Sequence, residues 1–401
     1  MKRVENVLLF LTLLFFPTQL GKHFWPPFSF VYSLPIDYLS PTIYFWDLLV
    51  VLLITVFIAS GKPINKLALN IFLLFILSQI ISLIPYQSSG LNLGAGLVRA
   101  EQYLISGLFG IYIASKNVHQ VKFIFIWGLG LAILGQSILA ILQFFKEGTI
   151  GLWILGERTF SLSTPGIAKF DFYGREFLRP YGTFPHPNVL AAFMLLSAIL
   201  ILWFRKTERI ISFLAVIPIL LTVSRAAIAA GLISFLFLLE KKGRIILVLA
   251  AVALLPILYT RFTSIFNFDN VSLLRREELS AVAIKVFISA PFLGVGLNNF
   301  IPSASNELLV GPSRFLQPVH NIFLLALSET GIVGFSGLLL LICFAIWKVR
   351  KEKTLLLAWL VIIFLGMFDH YFLTLPQGYR LLFLIWGLSF SVLELKSEKS
   401  P

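Results

Sequence analysis

The chain is organised as a series of apolar segments separated by polar stretches. A helix of roughly 15 to 25 apolar residues crosses about 30 Å of hydrocarbon with its own backbone hydrogen bonds satisfied. About twelve segments of this kind run from end to end, and each is predicted to be a transmembrane helix. They cover residues 7–20, 43–59, 67–83, 94–114, 121–145, 187–204, 210–223, 226–239, 245–259, 319–347, 354–368 and 381–395.

Composition agrees with this pattern. Of the 401 residues, 58% are hydrophobic and only 13% are charged. This is more apolar surface than a soluble core of that length could bury, so we predict an all-α polytopic membrane protein with residues 1–401 as a single domain. The single cysteine, Cys343, excludes an intramolecular disulfide, and five histidines argue against a structural metal site.

Lysine and arginine set the predicted orientation. The dense basic turns and the terminal lysines fall on one side, which the positive-inside rule assigns to the cytoplasm. They are residues 205–209, 241–244 and 348–353, with Lys2 and Lys396. Both termini are therefore predicted to be cytoplasmic. Two long loops then face outward, residues 146–186 and the larger 260–318 between helices 9 and 10, which contains an amphipathic helix. The net charge of +13 suits contact with anionic membrane lipids, and no nucleic-acid partner is expected.

Three arginines occupy unusual positions on the outer side. Residues 210–239 must enter the membrane from the cytoplasmic side and return to that side. Each arm is therefore too short to reach the outer surface, and Arg225 at the tip is predicted to lie within the membrane. There it needs a water-filled cavity or an anionic partner, or it snorkels to the headgroups. Arg275 and Arg276 fall in the first turn of the amphipathic helix, where the helix dipole disfavours cations. A bound diphosphate would hold them, as would neighbouring carboxylates.

Two predicted helix starts face the same side. Arg179 lies shortly before His186 and Asn188, and Pro187 suits the first position of the following helix because its missing N–H is not needed there. A second histidine, His320, is followed by Asn321 at the entry of the tenth helix. Helix N-termini and arginines together predict a site for a phosphorylated ligand at the outer membrane face.

Glu329 lies about two and a half turns deeper than His320 on the tenth helix. That separation is too long for direct contact between the two side chains. A carboxylate at membrane depth is costly without a partner, so Glu329 is predicted to pair with a cation such as Arg225 or Arg99.

In this order, the elements resemble the O-antigen ligase and polymerase superfamily. Residues 179–188 resemble its R-x-x-G-T-F-x-H-P-N pattern, 221–226 its S-R element, 291–300 its P-x-G-x-G signature, and 320–334 its H-N-x7-E-x-G-x-x-G segment. The resemblance therefore extends from Arg179 to Gly334. The N-terminal third is similar in topology only.

The resemblance implies a GT-C-like glycosyltransferase of the bacterial cytoplasmic membrane with an outward-facing site. Its donor would be a glycan linked to undecaprenyl diphosphate, and its acceptor a hydroxyl of a glycan or of lipid A core. Inversion at the sugar is expected, with no metal or other cofactor. His320 matches the histidine proposed to activate the acceptor. Arg225 and one of Arg275 and Arg276 match the arginines that bind the diphosphate, and Arg276 is taken as the catalytic candidate. The candidates for substrate binding are Arg275, Arg179, His186, Asn188, Asn321 and Glu329.

Several functions remain open on the sequence alone. O-antigen ligases, O-antigen polymerases that extend a lipid-linked repeat unit, and protein O-glycosylating members share these motifs, and we favour the ligase slightly. A transporter or flippase is a remoter alternative. It would be expected to show broken helices in both halves and charges along a route to the cytoplasm, whereas the unusual polar residues here cluster on one side.

Overall fold

The structure is a computed structural model that describes residues 1–84, 92–204, 209–253, 271–305, 307 and 316–391. This part of the chain is mainly helical. In chain order the helices are α1 (Lys2–Leu14), α2 (Phe45–Ala59), α3 (Lys66–Ile81), α4 (Leu93–Ala114), α5 (Val118–Lys146), α6 (Pro187–Phe204), α7 (Arg209–Leu214), α8 (Val216–Leu221), α9 (Arg225–Leu238), α10 (Lys241–Ala253), α11 (Val271–Ser289), α12 (Phe300–Ala304), α13 (Ile322–Val349), α14 (Lys353–Phe368), α15 (Tyr371–Thr374) and α16 (Pro376–Ser391).

Most helices coincide with the predicted apolar segments within a few residues, whereas α1 begins five residues and ends six residues before the predicted segment 7–20. Helix α6 has the predicted bounds, and it begins at Pro187 as expected. By length and composition α5, α6 and α13 could each cross a membrane, and five further apolar helices are shorter. A helical membrane protein is therefore supported. The number of twelve crossings and the cytoplasmic position of both termini stay predictions.

One predicted helix is divided into two. Residues 210–223 form α7 and α8, which are separated at Ala215. Pro218 explains the break, because it has no N–H to donate and its ring clashes with the carbonyl of Leu214 four residues earlier. Residues 205–208 of the predicted basic turn 205–209 lie outside the described residues.

Two of the sequence motifs, residues 291–300 and 320–334, contact each other. Helix α13 opens at Gly331, whose backbone has φ 60° and ψ −166°. The loop of residues 291–296 fills this opening, and the N–H of Gly296 donates to the carbonyl of Glu329 at 2.8 Å. A Cβ on Gly331 would lie only 2.3 Å from the carbonyl oxygen of Phe292, so both the space and the positive φ require glycine here. The motif glycines thus have a structural purpose.

Loop segments bring several helix ends together. In the first loop segment (residues 15–44) strand β1 (Gly21–His23) pairs with β4 (Thr42–Tyr44), and β2 (Phe30–Val31) pairs with β3 (Leu34–Pro35). In the second loop segment (residues 147–186) β5 (Lys169–Phe172) pairs with β6 (Arg175–Leu178). Both segments meet the ends of α4, α6, α9, α11 and α14 around one cavity.

Candidate active site

The cavity between these helix ends has a volume of about 1540 Å³ and is rich in cations. Among the described residues, six arginines line it but only three carboxylates do. The arginines are Arg99, Arg158, Arg179, Arg225, Arg275 and Arg276, and the carboxylates are Asp37, Glu157 and Asp369. A concave surface with this excess of positive charge favours an anionic ligand.

Most of the predicted site residues meet in this cavity. Its lining includes His320, Arg225, Arg276, Arg275, Arg179, His186 and Asn188. Asn321 and Glu329 do not line it. The roles proposed for all nine residues stay predictions.

Arg225 is presented by a strained turn. Val223 between α8 and α9 has φ 49°, a left-handed conformation that a β-branched residue rarely adopts. Ser224 then precedes Arg225, the first residue of α9. The Arg225 side chain is half-buried, and its Nη1 is buried without a hydrogen-bond partner among the described residues. A buried guanidinium nitrogen in that state is suited to an incoming anion.

A chain of hydrogen bonds fixes the turn relative to two other segments. Arg179 donates from Nε to the carbonyl of Thr222 at 2.5 Å and from Nη2 to Asn188 Oδ1 at 2.7 Å. Asn188 donates in turn from Nδ2 to Asp369 Oδ2 at 2.9 Å. The buried Arg179 therefore joins the second loop segment, the turn before α9 and the link after α14. This geometry suits a positioning role for Arg179.

Two side chains, His370 and Asp369, lie beside the predicted base His320. The ring of His320 packs edge-on against that of His370, with centroids 5.0 Å apart. Asp369 lies beside both, and one ligand atom from each of the three residues falls within 4.8 Å of the others. Two imidazoles and a carboxylate at that spacing are the group in the described chain that could hold a divalent metal ion.

Burial determines the charge of these groups. It lowers the pKa of His370 to about 3 and also lowers the pKa of His320, so both imidazoles are neutral at neutral pH. Burial would raise the pKa of Asp369, but the positive charges of His370 and His320 when these are protonated, and of Arg276, outweigh it, so the pKa lies below the usual value. The site thus combines a neutral imidazole, which can accept a proton, with a carboxylate that can stabilise the resulting imidazolium.

His186 and Arg276 have partly structural contacts. The Nδ1 of His186 accepts from the N–H of Asn188 at 3.1 Å, and burial lowers its pKa to about 3, so this neutral imidazole caps the start of α6. Arg276 donates from Nη1 to the carbonyl of Phe368 at 2.7 Å. That contact holds α11 against the end of α14 and leaves other guanidinium nitrogens of Arg276 for a ligand.

Asn321 and Glu329 stabilise the helix that follows His320. The Asn321 side chain accepts from the N–H groups of Phe323 and Leu324 at 2.9 and 3.1 Å, so it is an N-cap. Glu329 is buried, and its Oε1 accepts from the N–H of Phe300 at 3.3 Å. Neither predicted cation, Arg225 or Arg99, forms an ion pair with Glu329 within the described chain.

The sequence reasoning missed Asp369, His370 and Arg158. Asp369-His370 interrupts two apolar runs in the same way as His320-Asn321, and this signal could have identified it. Nothing local distinguishes Arg158 from any other loop arginine.

The comparisons with known proteins agree with this geometry. Residues 188–339 match the family model described as O-Antigen ligase. This match supports the resemblance to the O-antigen ligase and polymerase superfamily. The match includes Arg225, Arg276 and His320, while Arg179 and Asp369 lie outside it. Members of the superfamily are glycosyltransferase-like, and the match and the apolar helices together support a bacterial membrane protein. No curated protein matches the chain.

Proposed function

We propose that this O-antigen ligase family protein transfers a glycan from undecaprenyl diphosphate to an acceptor hydroxyl at the outer face of the cytoplasmic membrane. One observation carries the proposal: Arg225, Arg276 and His320 line the same cavity, and a buried nitrogen of Arg225 has no partner in the described chain. These are the groups that a diphosphate leaving group and a nucleophilic hydroxyl require.

The proposed reaction is a single displacement. His320 takes the proton of the acceptor hydroxyl while its oxygen attacks the anomeric carbon of the donor sugar. The bond from that carbon to the diphosphate oxygen breaks, and the carrier leaves with the electron pair. Arg225 and Arg276 neutralise the charge that develops on the diphosphate, while Asp369 stabilises the protonated His320. Attack from the side opposite the leaving group inverts the anomeric centre.

The direct test compares His320→Ala with the wild type in proteoliposomes supplied with a lipid diphosphate-linked glycan. General-base catalysis contributes about 10²- to 10⁴-fold, so we expect a rate loss in that range with normal expression and insertion. The matched control is His119→Ala, because His119 is exposed and lies outside the cavity. Full transfer by the His320 variant would remove the proposed mechanism.

The same assay separates the candidate reactions. Lipid A core and a second lipid-linked repeat unit are offered in parallel, and we expect transfer to lipid A core, as for a ligase. Extension of the lipid-linked glycan instead would identify a polymerase. Because two arginines neutralise the leaving group in this mechanism, we also expect EDTA to leave the rate unchanged. Loss on chelation with recovery by a divalent ion would instead assign a metal to His320, Asp369 and His370.

A further inference from the structure

One part of the cavity lining has no task in the proposed transfer. It is formed by Tyr38 in the 3-10 turn Asp37–Leu39, by Gln102 on α4 and by Arg158 in the second loop segment. Tyr38 joins this part to the catalytic residues, because its ring packs edge-on against His370 with centroids 5.5 Å apart. A ligand bound here would therefore lie beside the proposed base.

Arg158 is a cation on a firmly held loop. Its neighbour Glu157 is buried and accepts hydrogen bonds from the Gln143 side chain at 2.9 Å and from three backbone N–H groups. These belong to Ile150, Gly151 and Leu152, at 2.8, 2.8 and 2.6 Å. The hydroxyl of Thr18 ties the same loop to the first loop segment through the carbonyl of Leu155 at 2.8 Å. Arg158 itself is exposed and has no hydrogen bond or ion pair to any described residue.

Arg158 lines the cavity, and its charge acts on groups of both loop segments. Burial lowers the pKa of His23, and the charge of Arg158 lowers it further. Burial raises the pKa of Tyr181, and the same charge acts against that rise. His23 and Tyr181 belong to different loop segments and both line the cavity. Arg158 therefore lies within electrostatic reach of both, and its charge is not confined to open solvent.

Gln102 supplies a second polar group without a partner. Its Oε1 is buried and accepts no hydrogen bond from any described residue. Arg99, one turn earlier on the same face of α4, is already engaged with the carbonyl of Thr374 at 2.7 Å and with Asn298 Oδ1 at 3.2 Å. Buried acceptors are nearly always paired, so an unpaired one in a cavity wall suits a ligand that brings its own hydroxyl donor.

We propose that Tyr38, Gln102 and Arg158 form a subsite for an acidic saccharide. Arg158 binds its carboxylate or phosphate group, Gln102 Oε1 accepts a hydrogen bond from a sugar hydroxyl, and the Tyr38 ring packs against the sugar. The inference rests on the proposed function in one respect, since it takes the occupant to be one of the two glycans of the transfer. It adds that this glycan is acidic.

Binding can be measured without any transfer. The probes are a glucuronic acid-containing tetrasaccharide and its carboxyl-reduced counterpart, titrated into purified protein in nanodiscs. We expect the wild type to bind the acidic probe at least about tenfold more tightly, because one charge-assisted hydrogen bond has that effect. Arg158→Gln should bind both probes equally. Equal binding by the wild type, or a preference that Arg158→Gln keeps, overturns the proposal.

A matched arginine serves as the control. Arg175 is exposed in the same loop segment, pairs with Glu147 at 3.2 Å and lies outside the cavity lining, so Arg175→Gln should keep the acidic preference. Gln102→Leu should weaken both probes to a similar degree, because it removes an acceptor for a hydroxyl. His320→Ala should bind like the wild type. That result separates the subsite proposal from the proposed transfer function, because either proposal can be contradicted while the other is upheld.

Steady-state kinetics identify which glycan occupies the subsite. Arg158→Gln should raise the KM for one substrate about tenfold or more while kcat stays within about threefold. A rise confined to the acceptor assigns the subsite to the acceptor glycan, and a rise confined to the donor assigns it to the donor glycan. If neither KM changes, the subsite is not part of either substrate's binding site and the proposal is wrong.

Discussion

Two buried charge clusters of this protein are built in opposite ways. Near the start of the chain Glu5, only 1% exposed, pairs with Lys62 at 2.5 Å and with Lys116. The Lys116 ammonium also lies 4.9 Å from the ring centre of Tyr112. At the cavity, by contrast, a nitrogen of Arg225 is buried with no partner in the described chain. A paired cluster joins helices, whereas an unpaired one is available to a ligand.

Of the two clusters, the unpaired one should affect transfer more when its charge is removed. Arg225→Met should reduce glycan transfer by about 10²- to 10³-fold, because it withdraws a preorganised cation from the leaving group. Its thermal stability should equal or exceed that of the wild type, since no pair to another side chain of the described chain is lost. Rates and unfolding midpoints of the variant in the same detergent give both values. A variant that unfolds early but transfers glycan normally would contradict the comparison.

Removing the paired charge should have the reverse effect. Glu5→Gln leaves Lys62 and Lys116 without their anion and should lower the free energy of unfolding by about 3 kcal/mol. Transfer per folded molecule should stay near the wild-type rate, because the cluster is remote from the cavity lining. Glu176→Gln is the control, since this exposed residue pairs with Lys169 at the surface and its loss should change stability by less than about 1 kcal/mol.

One side of this contrast could be read from the sequence, because the unusual position of Arg225 is a local pattern. The pairing of Glu5 with Lys62 and Lys116 was not predicted. Apolar runs located the helices within a few residues, and a charge at predicted membrane depth identified Arg225. His320 was found because a histidine before an apolar run is unusual. Their meeting in one cavity depends on helix packing, which no local pattern encodes. The expectation that Arg225 and His320 share one site came instead from the order of the family motifs.

Two further candidates show what sequence order leaves out. Asn321 and Glu329 were counted among the substrate-binding candidates because both belong to the family segment of residues 320–334. In the structure the first caps a helix and the second meets the backbone of Phe300 beside the opening at Gly331. Asp369 was missed although it interrupts an apolar run, and its link to Asn188 could not be read from the sequence because the two residues are 181 positions apart. Side-chain contacts over such distances become visible only in the fold.

Asp369 should affect the transfer rate less than Arg225 does, but it tests the protonation of His320 specifically. Asp369→Asn should lower the transfer rate about tenfold, because a nearby carboxylate no longer stabilises protonated His320. Transfer requires neutral His320, and burial holds the pKa of His320 below 6.5. On lowering the pH, the transfer rate should therefore begin to fall below pH 6.5, which forms the acid limb of the pH–rate profile. The negative charge of Asp369 raises that pKa. The variant should therefore shift the acid limb to lower pH, and a shift to higher pH would contradict this arrangement.

The smallest effect is expected from Glu329, which is buried like Glu5 but accepts a hydrogen bond from a backbone N–H. Glu329→Gln keeps an oxygen for the N–H of Phe300, so transfer should remain within about threefold of the wild type. Glu329→Ala leaves that buried donor without its acceptor and should lower the free energy of unfolding by about 1–3 kcal/mol. If the Gln variant were folded but as inactive as Arg225→Met, the negative charge of Glu329 would belong to the chemistry. A charge outside the cavity lining would then take part in the transfer, and the distinction between structural and catalytic charges would no longer follow the cavity wall.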